Sequence, residues 1–157
     1  MTVTTATDTA TESVRRRRLL GTGLRADLVG VRDLARDLSL RRTAGGVDLD
    51  VVEGLDAFAQ DLAVALTTLR GTDPFNARFG FLGLGPLTDQ TAPSIARQAL
   101  RSAVAQVVAA DPRVRRIVDV TVTTPAAGSR VLDIRVTFDA ISGDTVTVGV
   151  TGSEAPQ

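Results

Sequence analysis

Glu53 and Asp61 lie eight positions apart around the start of a helical stretch, and two acids are the minimum equipment for hydrolysing a glycosidic bond. That chemistry also needs a sugar-sized cleft and one carboxyl kept protonated in an apolar site. Glu53 sits beside a strand end and Asp61 on a polar helical face, so helix capping and solvated charge account for both. Other chemistries fall to composition. With no His and no Cys, the chain has no imidazole base, no thiol nucleophile, no disulfide and no Cys or His metal ligand. Gly21-Thr22-Gly23 lacks the third glycine and the strand-to-helix setting of a dinucleotide loop. Without Lys no Gly-Lys-Ser or Gly-Lys-Thr phosphate loop exists. No catalytic, cofactor-binding or metal-ligating residue is assigned, and the chain is expected not to be an enzyme.

The elements that could carry a different function follow from pattern. Leu55, Phe58, Leu62, Leu66 and Leu69 recur at steps of 3, 4, 4 and 3, which places five apolar side chains on one helical face. The helix is expected from about Gly54 to Leu69, with Arg70 in its last turn and Gly71 as the left-handed residue that ends it. A loop closed by Phe79 and Gly80 follows, with Phe79 as a local core plug. Thr91 is an N-cap for a second helix, with Pro93 in its first turn. Ile95, Ala99, Ala103 and Val107, flanked by Leu100, Val104 and Val108, give it a broad apolar face. It stops near Ala110, since Pro112 pushes Asp111 out of the helical region.

Upstream, Leu38, Leu40, Val47, Leu49 and Val51 alternate with polar residues around Thr43-Ala44-Gly45-Gly46, a hairpin signature. Residues 19–37 are ambiguous, with Leu24, Leu28, Val31 and Leu38 at roughly helical spacing. Downstream, three runs alternate with period two: Val118, Val120 and Val122; Leu132, Ile134, Val136 and Phe138; Val146, Val148 and Val150. Short turn-rich linkers make an antiparallel meander the simplest topology. The expected class is α+β, an N-terminal hairpin and two helices packed on one face of a three-stranded antiparallel C-terminal sheet. Residues 1–18 are expected to be a disordered tail, 19–151 a single domain and 152–157 a second tail.

Composition narrows the partners. The 157 residues, 43% hydrophobic and 23% charged, suffice for one folded core. Eighteen basic residues, all Arg, balance eighteen acids, so neither bulk nucleic-acid binding nor membrane steering is implied. Arg15 to Arg18 with Leu19 and Leu20 look like the start of a twin-arginine signal, but Arg25, Asp27, Arg32 and Asp33 break the apolar run that a signal requires. No stretch approaches a membrane span, and a cytoplasmic protein is expected. The run Thr145, Val146, Thr147, Val148, Gly149, Val150 and Thr151 has no charge and no Pro. As an edge strand it lacks the devices that usually block pairing. Either the N-terminal hairpin covers it or another protein adds a strand to it.

The hairpin, Gln60-Asp61-Leu62, Thr68-Leu69-Arg70-Gly71, Phe79-Gly80 and Asp111-Pro112-Arg113 occur in an order that resembles the baseplate wedge family of contractile phage tails, type VI secretion and related injection particles. Leu20-Gly21-Thr22-Gly23 is similar to that family's early Leu-Gly-x-Gly entry, and the match runs from Leu19 to Val150. The resemblance implies a subunit of a multi-subunit ring that docks among larger wedge subunits and presents a strand platform on which sheath protein polymerises. It implies wedge docking at Asp111, Pro112 and Arg113, where the family has Glu-Pro-Arg; the acid here is one methylene shorter. It also implies a sheath contact at Thr145 to Val150. After Gly71 the family tends to carry an acid, whereas this chain has Thr72 and then Asp73-Pro74. Some members bear a lysozyme-like label, which the missing imidazole and the carboxylate placement do not support here. A glycan hydrolase and a small stand-alone adaptor are the rival readings.

Overall fold

Alternation of β-branched residues makes the C-terminal third of the chain a pleated surface with one apolar face, and two apolar helical stripes supply its cover. The computed structural model describes residues 6–29, 36–82, 93–123 and 131–153. In chain order these form helix α1 (Ala6–Leu20), strands β1 (Thr22–Leu24), β2 (Ala26–Leu28), β3 (Arg36–Leu38), β4 (Leu40–Thr43), β5 (Gly46–Leu49) and β6 (Val51–Glu53), helix α2 (Gly54–Thr67), helix α3 (Pro93–Ala109), and strands β7 (Val114–Thr123), β8 (Val131–Ala140) and β9 (Thr145–Ser153). The α+β class, the antiparallel meander β7-β8-β9 and the hairpin across Ala44-Gly45 are as expected.

The core lies between that sheet and the helices. Phe58, Leu62 and Leu66 of α2 meet Leu100, Val104 and Val108 of α3 over Val120, Val122, Val136, Phe138, Val148 and Val150. Phe58 and Phe138 are fully buried, and their rings make an edge-to-face contact at 5.3 Å between centroids. Burying each such side chain is worth about 1.5 to 3 kcal/mol. In α3 the buried row is Ala96, Leu100, Val104 and Val108, at strict four-residue spacing, while Ile95 faces out. Thr91 falls outside the described residues.

Several boundaries differ from expectation for local physical reasons. Residues 6–18, expected to be disordered, belong to α1. This helix packs on α2 through the fully buried Leu20, and Arg16 and Arg17 tie it down to Asp144 and Glu53. Helix α2 ends at Thr67, because the Thr67 and Thr68 hydroxyls donate back to the carbonyls of Ala63 and Val64 and Thr68 turns extended. Gly71 therefore is not the helix cap. It sits at φ +90° in the following turn, where Thr72 N–H donates to the Leu69 carbonyl. Leu69, expected on the buried helical face, is half-exposed in a parallel bridge to Phe81. In β7 a bulge between Ile117 and Asp119 makes Val118 the extra residue, so Val118 points out while Ile117 packs on the core. Strand β9 runs through Gly152 and Ser153, which were expected to be tail.

The region 22–53 is not helical where described. It forms three two-stranded antiparallel ribbons, β1-β6, β2-β3 and β4-β5. They meet at Arg25, Ser39 and Asp50, whose backbones close a ring. Arg25 N–H donates to the Asp50 carbonyl, Asp50 N–H to Ser39, and Ser39 N–H to Arg25. This junction satisfies three main-chain N–H groups and three carbonyls that a change of pairing partner would otherwise orphan.

Candidate functional site

Among the described residues, strand β9 has β8 on one side and no strand on the other, and none of its backbone groups bonds to a described residue beyond the sheet. The N-terminal hairpin does not cover it. Val146, Val148 and Val150 turn inward and Thr145, Thr147, Gly149 and Thr151 outward, so the open side is a row of main-chain donors and acceptors without a charge. The strand is held firmly from behind. Nine residues pair in unbroken register with β8, the Thr137 and Thr147 hydroxyls lie 3.0 Å apart, and the Thr145 hydroxyl donates to Asp139 at 2.9 Å.

The turn that launches β9 is pinned by α1. Arg16 makes a two-pronged contact to Asp144 at 2.6 and 3.0 Å, Arg15 donates to the Ser142 carbonyl at 2.9 Å, and the buried Ser142 hydroxyl donates to Asp144 at 2.7 Å. Burial alone would raise the Asp144 carboxyl, but hydrogen bonds from Arg16 and Ser142 outweigh it and hold the group below its ordinary value. Three of the four residues in the Arg15 to Arg18 run thus have structural partners, with Arg17 on Glu53 at 3.3 Å. A composition-level reading of charge could not see this.

Asp111, Pro112 and Arg113 form the corner between α3 and β7. The Arg113 guanidinium donates to both Asp111 oxygens at 3.0 and 2.7 Å, to Asp61 at 2.9 Å and to the Leu20 carbonyl at 2.8 Å, and it lies 4.6 Å from the Phe58 ring centroid. Paired carboxylates raise its affinity for the proton, so it stays charged. Burial pushes the Asp111 carboxyl up, but side-chain and backbone hydrogen bonds from Arg113 bring it below its ordinary value. The corner is an internal clasp joining α1, α2 and the α3–β7 junction. Asp61 belongs to this clasp and Glu53 to the Arg17 pair, so each of these two acids is ion-paired with an Arg.

Beside the clasp a groove of about 680 Å³ runs between α2 and α3, with Val64, Ala65, Ala103 and Val107 among its apolar lining, Asp111, Pro112 and Arg113 at its wall, and Arg70, Arg78 and Phe79 bordering it. Gly80 shapes that wall. At φ +101° it lets the chain return against α2, and a Cβ there would lie 2.5 Å from the Thr68 carbonyl oxygen. The bridge places Phe81 in the core, while Phe79 is half-buried; the plug is Phe81, two residues later than the spacing suggested. Gln60, in sequence only one member of the Gln60-Asp61-Leu62 run, has a structural role. Its side chain accepts from Ala26 N–H at 2.9 Å and donates to the Leu24 carbonyl at 2.8 Å, fastening the ribbon junction to α2.

Among the described residues no group of three or more acids is placed to hold a metal ion, and no helix is long and apolar enough to cross a membrane. No protein-family model matches the chain, and no curated protein matches its sequence. Among solved structures, the fold is similar to that of a Geobacter sulfurreducens protein provisionally named a tail lysozyme, with 16% identity, a TM-score of 0.51, and coverage of 62% of this chain and 88% of that one. At that identity the likeness establishes a shared fold.

Proposed function

We propose that this chain is a structural, non-catalytic subunit of the baseplate of a contractile, phage-tail-like injection particle. It docks among larger wedge subunits and templates the first sheath ring by adding a sheath strand to β9. The observation that carries this reading is the contrast between the sheet's two edges. β7 is interrupted by two register shifts and carries Arg115, Arg116 and Asp119, whereas β9 is regular and uncharged. Bulges and charges are what block strand addition. A partner strand on β9 forms about four or five main-chain hydrogen bonds, together roughly 2 to 7 kcal/mol before the entropy of docking is subtracted.

The shared fold with a protein provisionally named for a phage tail supports the setting. Docking at Asp111, Pro112 and Arg113 takes a modified form. Arg113 is spent on internal partners, so the corner contributes through the shape of the groove it walls, with Gly80 and Phe79 forming the facing side. The particle's wedge subunits are the partners of this groove and the sheath protein is the partner of β9.

The test is co-expression with the sheath protein. Thr147→Lys and Gly149→Lys place charges on exposed β9 positions without entering the core. Sheath assembly is expected with the native chain and not with the double variant, which should still unfold cooperatively with only a small drop in melting temperature for the lost Thr137–Thr147 contact and the charge placed opposite Arg135. Val148 is unsuitable for this purpose because its side chain is buried. Normal assembly by the folded variant would sink the strand-template reading.

A further inference from the structure

The ribbon region is amphipathic in the wrong direction for a self-contained domain. Val52 is buried against α2 at 3% exposure, and Gly23 is its cross-strand partner. By alternation Arg25 and Asp50 follow that same side, and their side chains pair at 2.8 Å. Arg41 also pairs with Asp50, and Ser39 donates to Asp27, so the junction's polar side chains find their partners among one another. The opposite parity therefore points away from the helices. It carries Leu24, Leu38, Leu40, Val47, Leu49 and Val51, each between 38% and 67% exposed. Cross-strand pairing sets Leu24 beside Val51 and Leu40 beside Leu49. Single exposed leucines are ordinary, but an apolar face of this extent on ribbons whose junction is fastened to α2 by Gln60 marks an interaction surface.

Charge selects what covers it. On the same parity lie Arg36 and Arg42 and one acid, Glu53, which Arg17 already engages. Arg42 has no carboxylate partner among the described residues, whereas Arg36 donates through Nη1 to the Ala26 carbonyl at 3.0 Å and keeps its Nε buried. The face is thus apolar with one unspent guanidinium, Arg42, at its margin. A second copy brings the same unpaired Arg and no free acid to meet it, which opposes face-to-face pairing. A lipid surface is poorly matched by a single free cation and no aromatic ring. We infer that this face docks a different protein subunit that presents an apolar patch bordered by carboxylates. Resting on the baseplate reading above, that subunit is one of the larger wedge proteins, engaged at a site separate from both β9 and the groove.

The experiment is co-purification of the full-length chain with the co-expressed wedge subunits of its own particle, alongside the sheath-assembly assay. Leu38→Asp with Leu40→Asp is expected to weaken wedge association more than about tenfold. Arg42→Glu is expected to weaken it about two- to fivefold and to steepen its salt dependence. Should the double variant melt early, Leu40→Ser and Arg42→Glu, each singly exposed, carry the test. Sheath templating by the purified variants stays intact. If the native chain binds the wedge subunits and the folded variants bind equally well, this inference falls and the baseplate reading stands. If the native chain binds neither wedge nor sheath, both fall. A concentration-dependent dimer, or binding to anionic phospholipid vesicles, that the same substitutions abolish would also overturn it.

Discussion

The C-terminal sheet and the N-terminal ribbons are both built from alternating apolar and polar residues, yet they turn their apolar faces in opposite directions. In β7-β8-β9 the apolar parity meets α2 and α3 and supplies half the core. In the ribbons the polar parity lies on the α2 side, and the apolar parity faces solvent. Alternation thus establishes that a segment is a half-apolar strand. Which half is covered depends on what stands behind it. In the sheet that is two helical stripes, whereas in the ribbons it is a single glutamine clamp and one buried valine.

Substitutions on the two apolar faces should therefore have very different costs. Phe138→Ala removes a fully buried ring and its contact with Phe58, and should lower unfolding free energy in urea by about 3 to 5 kcal/mol. Arg113→Met should cost about 2 to 3 kcal/mol, since it strands Asp111 and Asp61 and leaves the Leu20 carbonyl without its donor. A loss under about 0.5 kcal/mol would mean that the clasp does not hold the corner.

Acid should release the same clasps more gently. The carboxyls of Asp111 and Asp144 are held below their ordinary value, so their contribution is fully present above an unfolded value of about 3.9 and is lost as pH falls through the folded ones. With no His, Cys, Tyr or Lys, stability from about pH 5 to 9 should be nearly flat. A transition centred near pH 6.5 in a melting-temperature series would contradict this. The smallest effect should come from Leu40→Asp, expected within about 1 kcal/mol of the native chain because only cross-strand contacts are lost. A core-sized penalty there would show that the ribbon face is covered within the chain itself, and the contrast between the two regions would vanish.

Periodicity made the sheet, α2, α3 and the hairpin legible, since the apolar repeat of each stands out; α1 was not legible, although it has 15 residues, because it carries few large apolar side chains to mark a face. The ribbons β1, β2 and β3 were not, because three-residue strands contain barely one period, and Leu24 and Leu28 happen to fit a helical step. Of the candidate site, the bare edge of β9 was readable from the absence of charge and Pro between Thr145 and Thr151. Its isolation from the hairpin was not, because pairing partners are long-range. Asp111-Pro112-Arg113 was legible as a corner, whereas the inward direction of Arg113 depends on Asp61 and Leu20, 52 and 93 residues away.

By itself the sequence determined which chemistries are closed to this protein, where most of its long elements lie, and that β9 would carry no guard. These are properties of residue type and local spacing. Tertiary structure alone decided that Arg15 and Arg16 anchor the root of β9, that Phe81 is the buried plug, and that the ribbons show their apolar side to solvent. Each depends on which surfaces meet across the fold, and a backbone that alternates equally well in either direction does not encode that choice locally.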